Sequence, residues 1–533
     1  MQLPSATRPH HTDDVAPGRE TRGATVASLT LGQRAERALV AFARDDATLL
    51  AVSMTFAVLA YGYALVHPTL SLDEESASTF AELGHGNGWS LALYRWGLVA
   101  FQAVVVGGAT LPFLRPLLAL LVLSVASVAY ARLLPTTRAA QHFFALVFVT
   151  VPTFAYAMTF SFMCLESSLA ILLWVLGLRC FVAACARPTP EPRLLAGALA
   201  LWVLAPSLYQ DYGVLLTAFL LETFFRLAGG EGTGLVRRAA WFVAVVAAAV
   251  ALYALISVAI ARTFGMPGVT YMSGYLAAER GWATLGRLLG SLRSFYLAPA
   301  VYGTTSVRLA GIALPVLAAW TDAPLRRRVA LTGLAVAIAA APLAYGLGVR
   351  PPLRAASGLL FVGAGAAALA VARSGPRTAF FVKAGVVWLA LCNCVAVNNI
   401  FHYESLAWDA DRLLVTSLAQ RIYDVAPDVH DRSGVRVVFA GSYRRALADT
   451  LPDIAAELWV GMFDTWGENR TLRRRQALIH LGFPDFALGS EADYERSEPR
   501  LASMPAWPAR GSVARDGELV LVKLGPLNGF GTQ

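Results

Sequence analysis

Between Thr48 and Val397 the chain alternates long apolar runs with short polar breaks, and in many of those breaks the charged residue is arginine. The runs Thr48–Val66, Leu111–Ala131, Gln141–Met158, Leu165–Ala186, Ala239–Ala261, Pro299–Trp320, Val329–Leu347, Ala355–Ala372 and Ala379–Val397 each come close to the roughly 20 residues that cross a hydrocarbon core of about 30 Å. Two shorter runs, Leu194–Tyr209 and Tyr212–Leu227, flank a polar break, and a further stretch, Leu91–Val106, is interrupted by Arg95 and Gln102. Helices are the elements this pattern predicts, because in lipid each segment must satisfy its own backbone N–H and C=O groups.

The arginines set the orientation. Placing Arg132/Arg138, Arg187/Arg193, Arg237/Arg238, Arg326–Arg328 and Arg373/Arg377 on the cytoplasmic face gives one consistent path, provided that Leu91–Val106 does not cross. The expected fold is therefore an α-helical polytopic membrane protein of about eleven transmembrane helices that starts inside and ends outside. Its first external loop, residues 67–110, would carry an interfacial helix. If Leu91–Val106 crossed as well, both termini would lie inside and several arginine clusters would face outward.

Two flanking regions differ in character. Residues 1–46 are polar and read as a largely disordered cytoplasmic tail, with at most one amphipathic helix between Leu31 and Phe42. Residues 47–400 form the expected transmembrane domain. Over residues 401–533 charged residues return and short strand-like runs appear at Val435–Ala440 and Leu519–Val522, the pattern of a small extracytoplasmic α/β domain. No internal repeat of the transporter kind is evident.

Composition narrows the function class. Of 533 residues 56% are apolar and only 15% charged, too few charges for a soluble enzyme of this size. The formal charge of +9 comes from 44 Lys+Arg against 35 Asp+Glu, but Lys383 and Lys523 are the only lysines and no basic stripe or recognition fold accompanies them, so nucleic acid is not a partner. Cys164, Cys180, Cys185, Cys392 and Cys394 lie within apolar segments without zinc-site spacing and read as packing residues.

Candidate chemistry gathers in the external loops. Asp73, Glu74 and Glu75 follow the first span closely, well placed for one carboxylate to take a proton from an attacking hydroxyl while another binds a sugar hydroxyl or a cation; a solvated acidic loop is the plainer explanation. Tyr94-Arg95-Trp96 sets a cation between aromatics, suited to a phosphate at head-group depth or to interfacial anchoring. Ser207-Leu208-Tyr209-Gln210-Asp211-Tyr212 joins two short spans, where polar groups must face a cavity or the bundle interior; Tyr209 and Gln210 suit sugar hydroxyls, and a simple hairpin turn is the alternative. Glu166, at the outer end of its span, either lines the same cavity or caps a helix.

Arg280 and Arg287 lie seven apart in an external loop, on one face of an amphipathic helix, and suit either a lipid-linked phosphate or anionic head groups. Arg350 and Arg354 flank a rigid Pro-Pro-Leu segment, a candidate phosphate clamp. Walker loops, dinucleotide fingerprints, HExxH and nucleophile elbows are missing, so nucleotide-driven transport and zinc proteolysis have no residue support.

Taken in order, these landmarks resemble the bacterial Gtr-type glucosyltransferase family, membrane enzymes of the GT-C fold class associated with glucosylation of O-antigen. The features that carry the resemblance are Asp73-Glu74 (where an aspartate pair would be expected), the Trp/Arg loop helix, Ser207-Leu208-Tyr209-Gln210, Arg350-Pro351-Pro352-Leu353-Arg354, and Asn398 leading to Asp409-Ala410-Asp411. Val437-Val438-Phe439-Ala440-Gly441, Met504-Pro505-Ala506-Trp507-Pro508, Gly511-Ser512-Val513 and Val520-Leu521-Val522-Lys523-Leu524 extend it into the C-terminal domain.

The resemblance implies transfer of a sugar, glucose by analogy, from a polyprenyl-phosphate donor to a cell-surface glycan acceptor on the periplasmic face of the inner membrane. It implies Asp73 as general base, Glu74 orienting the acceptor or holding a divalent cation, and Arg350, Arg354 and Arg95 neutralising the departing phosphate. Single displacement with inversion needs no other cofactor. A flippase and a donor synthase of the same pathway are the expected protein partners. A flippase or polysaccharide transporter is the alternative function, but it would be expected to carry charge at mid-membrane depth, and the runs contain little.

Overall fold

A computed structural model describes residues 31–69, 90–106, 111–160, 162–266, 282–297, 302–346, 353–429, 434–443, 474–475, 477–479 and 481–527. The chain divides into two compact units, Met1–Thr48 and Leu49–Gln533. In the first, the described part is helical from Leu31, the start of α1 (Leu31–Val66).

The second unit is mostly helical. Among the described residues, seven helices are long and apolar enough to cross a membrane: Asp46–Val66 within α1, α3 (Leu114–Ala131), the broken segment Arg138–Met158, α6 (Cys164–Ala184), α8 (Tyr212–Gly229), α9 (Leu235–Thr263) and α14 (Ala379–Val425). The other four expected spans are also helical but shorter, with 15 to 17 residues each: α7 (Pro192–Leu208), α11 (Thr305–Ala319), α12 (Leu325–Ala340) and α13 (Leu359–Arg373). The chain is a polytopic helical membrane protein.

Two departures from the expected spans have simple causes. Pro152 lacks the N–H that a continuing helix requires, so Arg138–Met158 is α4 (Arg138–Thr150), a 3-10 turn at Pro152–Phe154 and α5 (Ala155–Met158). The short α13 is buried along nearly its whole length, packed between α4, α11 and α8, so protein covers much of what lipid would otherwise face. Its glycines allow the contact: a Cβ on Gly365 would lie 2.7 Å from Leu221, and one on Gly363 3.2 Å from Val151. By contrast α9 and α14 turn Val236, Val243, Leu255, Phe380, Phe381 and Trp388 outward, as helices at the rim of a bundle do.

The stretch Leu91–Val106 forms a short helix, α2 (Trp96–Phe101), continued by a π turn over Gln102–Val106. The sequence predicts an interfacial helix, yet α2 docks into the bundle: Leu98 is buried among Phe160, Met163, Leu208 and Tyr209, while Ala100, Ala103, Val104 and Val105 are exposed. The remaining membrane-domain helix, α10 (Trp282–Tyr296), packs on α11 and the 3-10 segment Ala341–Gly346.

Helix α14 runs for 47 residues without a break, so the expected domain boundary at residue 400 falls inside it. Its second half is one layer of the C-terminal domain. The sheet has order β2-β1-β4-β3, with β1 (Arg436–Ala440) parallel to β2 (Ala487–Leu488) and to β4 (Leu519–Lys523), and β3 (Val513–Asp516) antiparallel to β4. Alternation decides the layers. Val437, Phe439, Val520 and Val522 pack on Val415, Leu418 and Ile422 of α14, while Val438, Ala440, Leu519 and Leu521 pack on α15 (Glu491–Ser503) through Tyr494 and Leu501. Burying each such Val or Leu contributes about 1.5–3 kcal/mol, which is why two short strands can hold two helices. Both strands read from the sequence are present, within one residue of their expected ends.

Candidate active site

The bundle has two chemically different ends. At one, arginines cap the last carbonyls of neighbouring helices: Arg179 Nη1 donates to Ala129 O at 3.0 Å, Arg327 Nε and Nη2 to Leu227 O and Ala228 O at 2.8 and 2.6 Å, and Arg373 Nη1 to Leu317 O at 2.5 Å. Helix C-termini leave such carbonyls unpaired, so each arginine satisfies a group that its neighbour could not. Glu222, fully buried, joins Arg226 and Arg238 there. The opposite ends of the same helices meet around the break between α7 and α8.

At that break the chain Tyr209-Gln210-Asp211 is extended, since Pro206 and the turn after Leu208 stop α7 before α8 starts. Tyr209, Gln210 and Asp211 are all buried. Arg95, just before α2, reaches this turn: its Nε donates to Gln210 Oε1 at 3.3 Å, its guanidinium lies over the Tyr209 ring at 5.2 Å, and its Nη1 is 3.4 Å from Met163 Sδ. Tyr209 OH donates to Arg354 O at 3.2 Å, and the Arg354 guanidinium lies over Phe160 at 5.2 Å. Two arginines are thus held over two aromatic faces that share one cluster. Cation–π contact helps to fix each guanidinium over its ring.

Gln210 holds the loop helix and Arg95: its Nε2 donates to Leu93 O at 2.6 Å and to Tyr253 OH at 2.8 Å while its Oε1 accepts from Arg95. Both amide protons are thereby used, and the Oε1 keeps a second lone pair.

The approach of α2 to α7 is close enough to require glycine: a Cβ at Gly97 would lie 2.0 Å from Ser207 Oγ. Beside it Tyr94 has φ of 62°, the sole non-glycine residue with positive φ among the described residues. That conformation costs roughly 1–2 kcal/mol, so the surroundings must enforce it. Gln102, in the π turn, donates to Phe162 O at 3.2 Å and to Glu166 Oε1 at 3.3 Å, and Glu166 is also paired with Arg115. Glu166 thus anchors the far end of the loop helix and does not stand free in a cavity. Arg115 and Glu166 lie in the first turns of α3 and α6.

Asp211, outside both helices, accepts from Ser357 N at 2.8 Å and so ties the turn to the segment that follows Arg354. Burial pushes its carboxyl from the ordinary 3.8 up to about 6, with the bonds from Ser357 and the start of α8 opposing the rise.

Of the residues singled out from the sequence, Arg95, Tyr209, Gln210 and Arg354 come together here. Arg287 is half-buried on α10, whose packing partners are α11 and Ala341–Gly346. Asp73, Glu74, Arg280 and Arg350 lie outside the described residues. Sequence reasoning missed Tyr253, Ser257, Phe160, Met163, Asp211 and Ser357. Only Tyr253 and Ser257 left a signal, two polar side chains one turn apart in an apolar run.

The C-terminal landmarks are accounted for by the fold. Asn398 Nδ2 donates to Leu59 O and Ala60 O, joining α14 to α1. Lys523 Nζ donates to Ala502 O and Met504 O at the end of α15, and Arg421 of α14 stacks on Trp507 at 4.4 Å. Gly441, with φ of 72°, lies against Gly525, and a Cβ there would be 2.5 Å from its carbonyl oxygen.

Residues 62–347 match the family model described as Glucosyl transferase GtrII. No curated protein and no solved structure matches the chain. The matched span includes Arg95, Tyr209, Gln210 and Tyr253 and stops short of Arg354 and the C-terminal domain. Because it covers more than half of the chain, the protein belongs to the Glucosyl transferase GtrII family and is a membrane glucosyltransferase.

Proposed function

We propose that the protein transfers glucose from a polyprenyl-phosphate carrier to a cell-surface glycan such as O-antigen, at the periplasmic face of the inner membrane. The observation that carries this reading is Arg95, held over Tyr209 at the end of the bundle away from the arginine-capped helix termini. It offers a phosphate at head-group depth a preorganised cation, in surroundings where charge–charge attraction is stronger than in water.

In the reaction proposed, an acceptor hydroxyl oxygen attacks the anomeric carbon while the bond from that carbon to the phosphate oxygen breaks. The electron pair leaves with the lipid phosphate, and the hydroxyl proton passes to Asp73. Arg350, Arg354 and Arg95 stabilise the growing phosphate charge; Glu74 orients the acceptor or holds a divalent cation. One displacement inverts the anomeric configuration. Arg280 and Arg287 bind the lipid-linked phosphate or anionic head groups.

The test is transfer of labelled glucose from polyprenyl-phosphate-glucose by the purified protein in lipid, with glycan acceptors supplied. Wild type is expected to transfer with inversion, read by NMR of the product. Asp73→Asn should lose at least a hundredfold in kcat, the lower range for losing a general base, and Arg95→Ala should weaken the donor chiefly. Full activity in Asp73→Asn, or retention of configuration, overturns the scheme.

A further inference from the structure

Helix α9 touches the bundle along a single stripe, Arg238, Phe242, Val245, Ala249, Tyr253 and Ser257, and the rest of it faces outward. Deep in the bundle the stripe is apolar. Towards the site it turns polar, and both polar groups are spent on the residues that flank Arg95. Tyr253 OH donates to Tyr94 O at 2.9 Å while accepting from Gln210 Nε2 at 2.8 Å, and Ser257 Oγ accepts from Trp96 Nε1 at 3.2 Å. Gln210 completes the set through Leu93 O and Arg95 itself.

Four consecutive residues, Leu93 to Trp96, are therefore gripped on one side by α9 and by the turn after α7. The middle of the grip is Tyr94, whose left-handed backbone fixes the direction in which the chain delivers Arg95. Packing alone does not explain this arrangement. A phenylalanine ring and a small apolar residue would fill the same space without the hydroxyls, and hydroxyls within an apolar helix are retained where a partner needs them. Removing one would leave Gln210 free to turn and Tyr94 free to relax, and the guanidinium would lose its fixed position while keeping its charge.

We infer that Tyr253 and Ser257 of α9 are positioning residues for the glucosyl transfer, acting through Tyr94, Trp96 and Gln210 to hold the Arg95 guanidinium where the donor phosphate binds. The inference rests on the reading of Arg95 as a phosphate ligand. It assigns a role in donor recognition to a helix that contributes no charged group to the site.

A double-mutant cycle tests it. Tyr253→Phe, Arg95→Ala and the double variant are compared in lipid for binding of polyprenyl phosphate and for donor and acceptor KM, with thermal unfolding as a check on the fold. Tyr253→Phe is expected to weaken polyprenyl phosphate and raise the donor KM about tenfold, with the acceptor KM unchanged, whereas on the Arg95→Ala background it should change binding less than about twofold. Ser257→Ala, read through the same cycle, takes its place if Tyr253→Phe does not fold, and Ser257→Thr should restore binding. Equal losses on both backgrounds, or no loss on the wild-type background, overturn the inference while leaving the proposed function standing. If wild type neither binds polyprenyl phosphate nor transfers from its glucose ester, the donor reading falls and takes this inference with it.

Discussion

At the scale of single residues, the site is built from side chains that hold one another and the nearby backbone through hydrogen bonds. Gln210 spends three hydrogen bonds within the protein, and Asp211 spends its carboxylate on the backbone of Ser357 and the start of α8. Asp211 carries a pH dependence with a definite sign. Its folded-state pKa of about 6 lies above the unfolded value, so between about pH 4 and 6 the folded state binds more protons and stability falls as the pH rises. Asp211→Asn, which keeps an acceptor for the Ser357 N–H, should flatten that slope, so that the variant gains on wild type above about pH 6. Thermal unfolding of both proteins in detergent from pH 4 to 8 checks it, and parallel curves would contradict it. The sequence placed Asp211 in a polar break facing a cavity or the bundle interior, but neither its Ser357 partner nor its raised pKa was legible there. Its burial is decided by segments more than a hundred residues away.

At the scale of elements, periodicity and punctuation carried far. The apolar runs correspond to helices, and the alternating runs at Val435–Ala440 and Leu519–Val522 are strands, because each signal acts through local backbone chemistry; the break at Pro152 was not expected within Gln141–Met158. The loop helix α2 is the instructive exception. Its aromatics and lone arginine fit a helix on the membrane surface equally well, and nothing local reveals that Gly97 meets Ser207. The contact makes a sharp prediction: Gly97→Ala should cost about 1–3 kcal/mol through overpacking and displace α2, lowering both the unfolding temperature and the rate of transfer. Ser207→Gly, which removes the colliding atoms, should recover part of each; a harmless Gly97→Ala would mean that α2 docks differently.

For the whole molecule, the arginines that orient the chain also hold it together. Arg179, Arg327 and Arg373 sit in the clusters, or beside them, that topology assigns to the cytoplasm, and each closes a helix end of a neighbour. A membrane-impermeant thiol reagent on intact spheroplasts should therefore label Glu491→Cys in the C-terminal domain and spare Asp322→Cys beside the arginine triplet, with Asp322→Cys labelled only after lysis. Labelling in the opposite sense would invert the orientation and move the proposed chemistry to the cytoplasm. Helix α14 links the two halves rigidly, running from the bundle into the core beneath the sheet.

The sequence by itself determined that the chain lives in a membrane, which stretches of it are helical, and that a small α/β domain follows. Those properties depend on hydropathy, charge and backbone chemistry read over some twenty neighbouring residues at most. It also placed Arg95, Tyr209, Gln210 and Arg354 among the functional candidates. Only the tertiary structure decided that these four meet, that Gln210 is a clamp, and that Tyr253 and Ser257 grip the loop around Arg95, since each pairing joins positions between 43 and 161 residues apart. Contacts at such distances follow from how the helices pack, and no local pattern of letters encodes them.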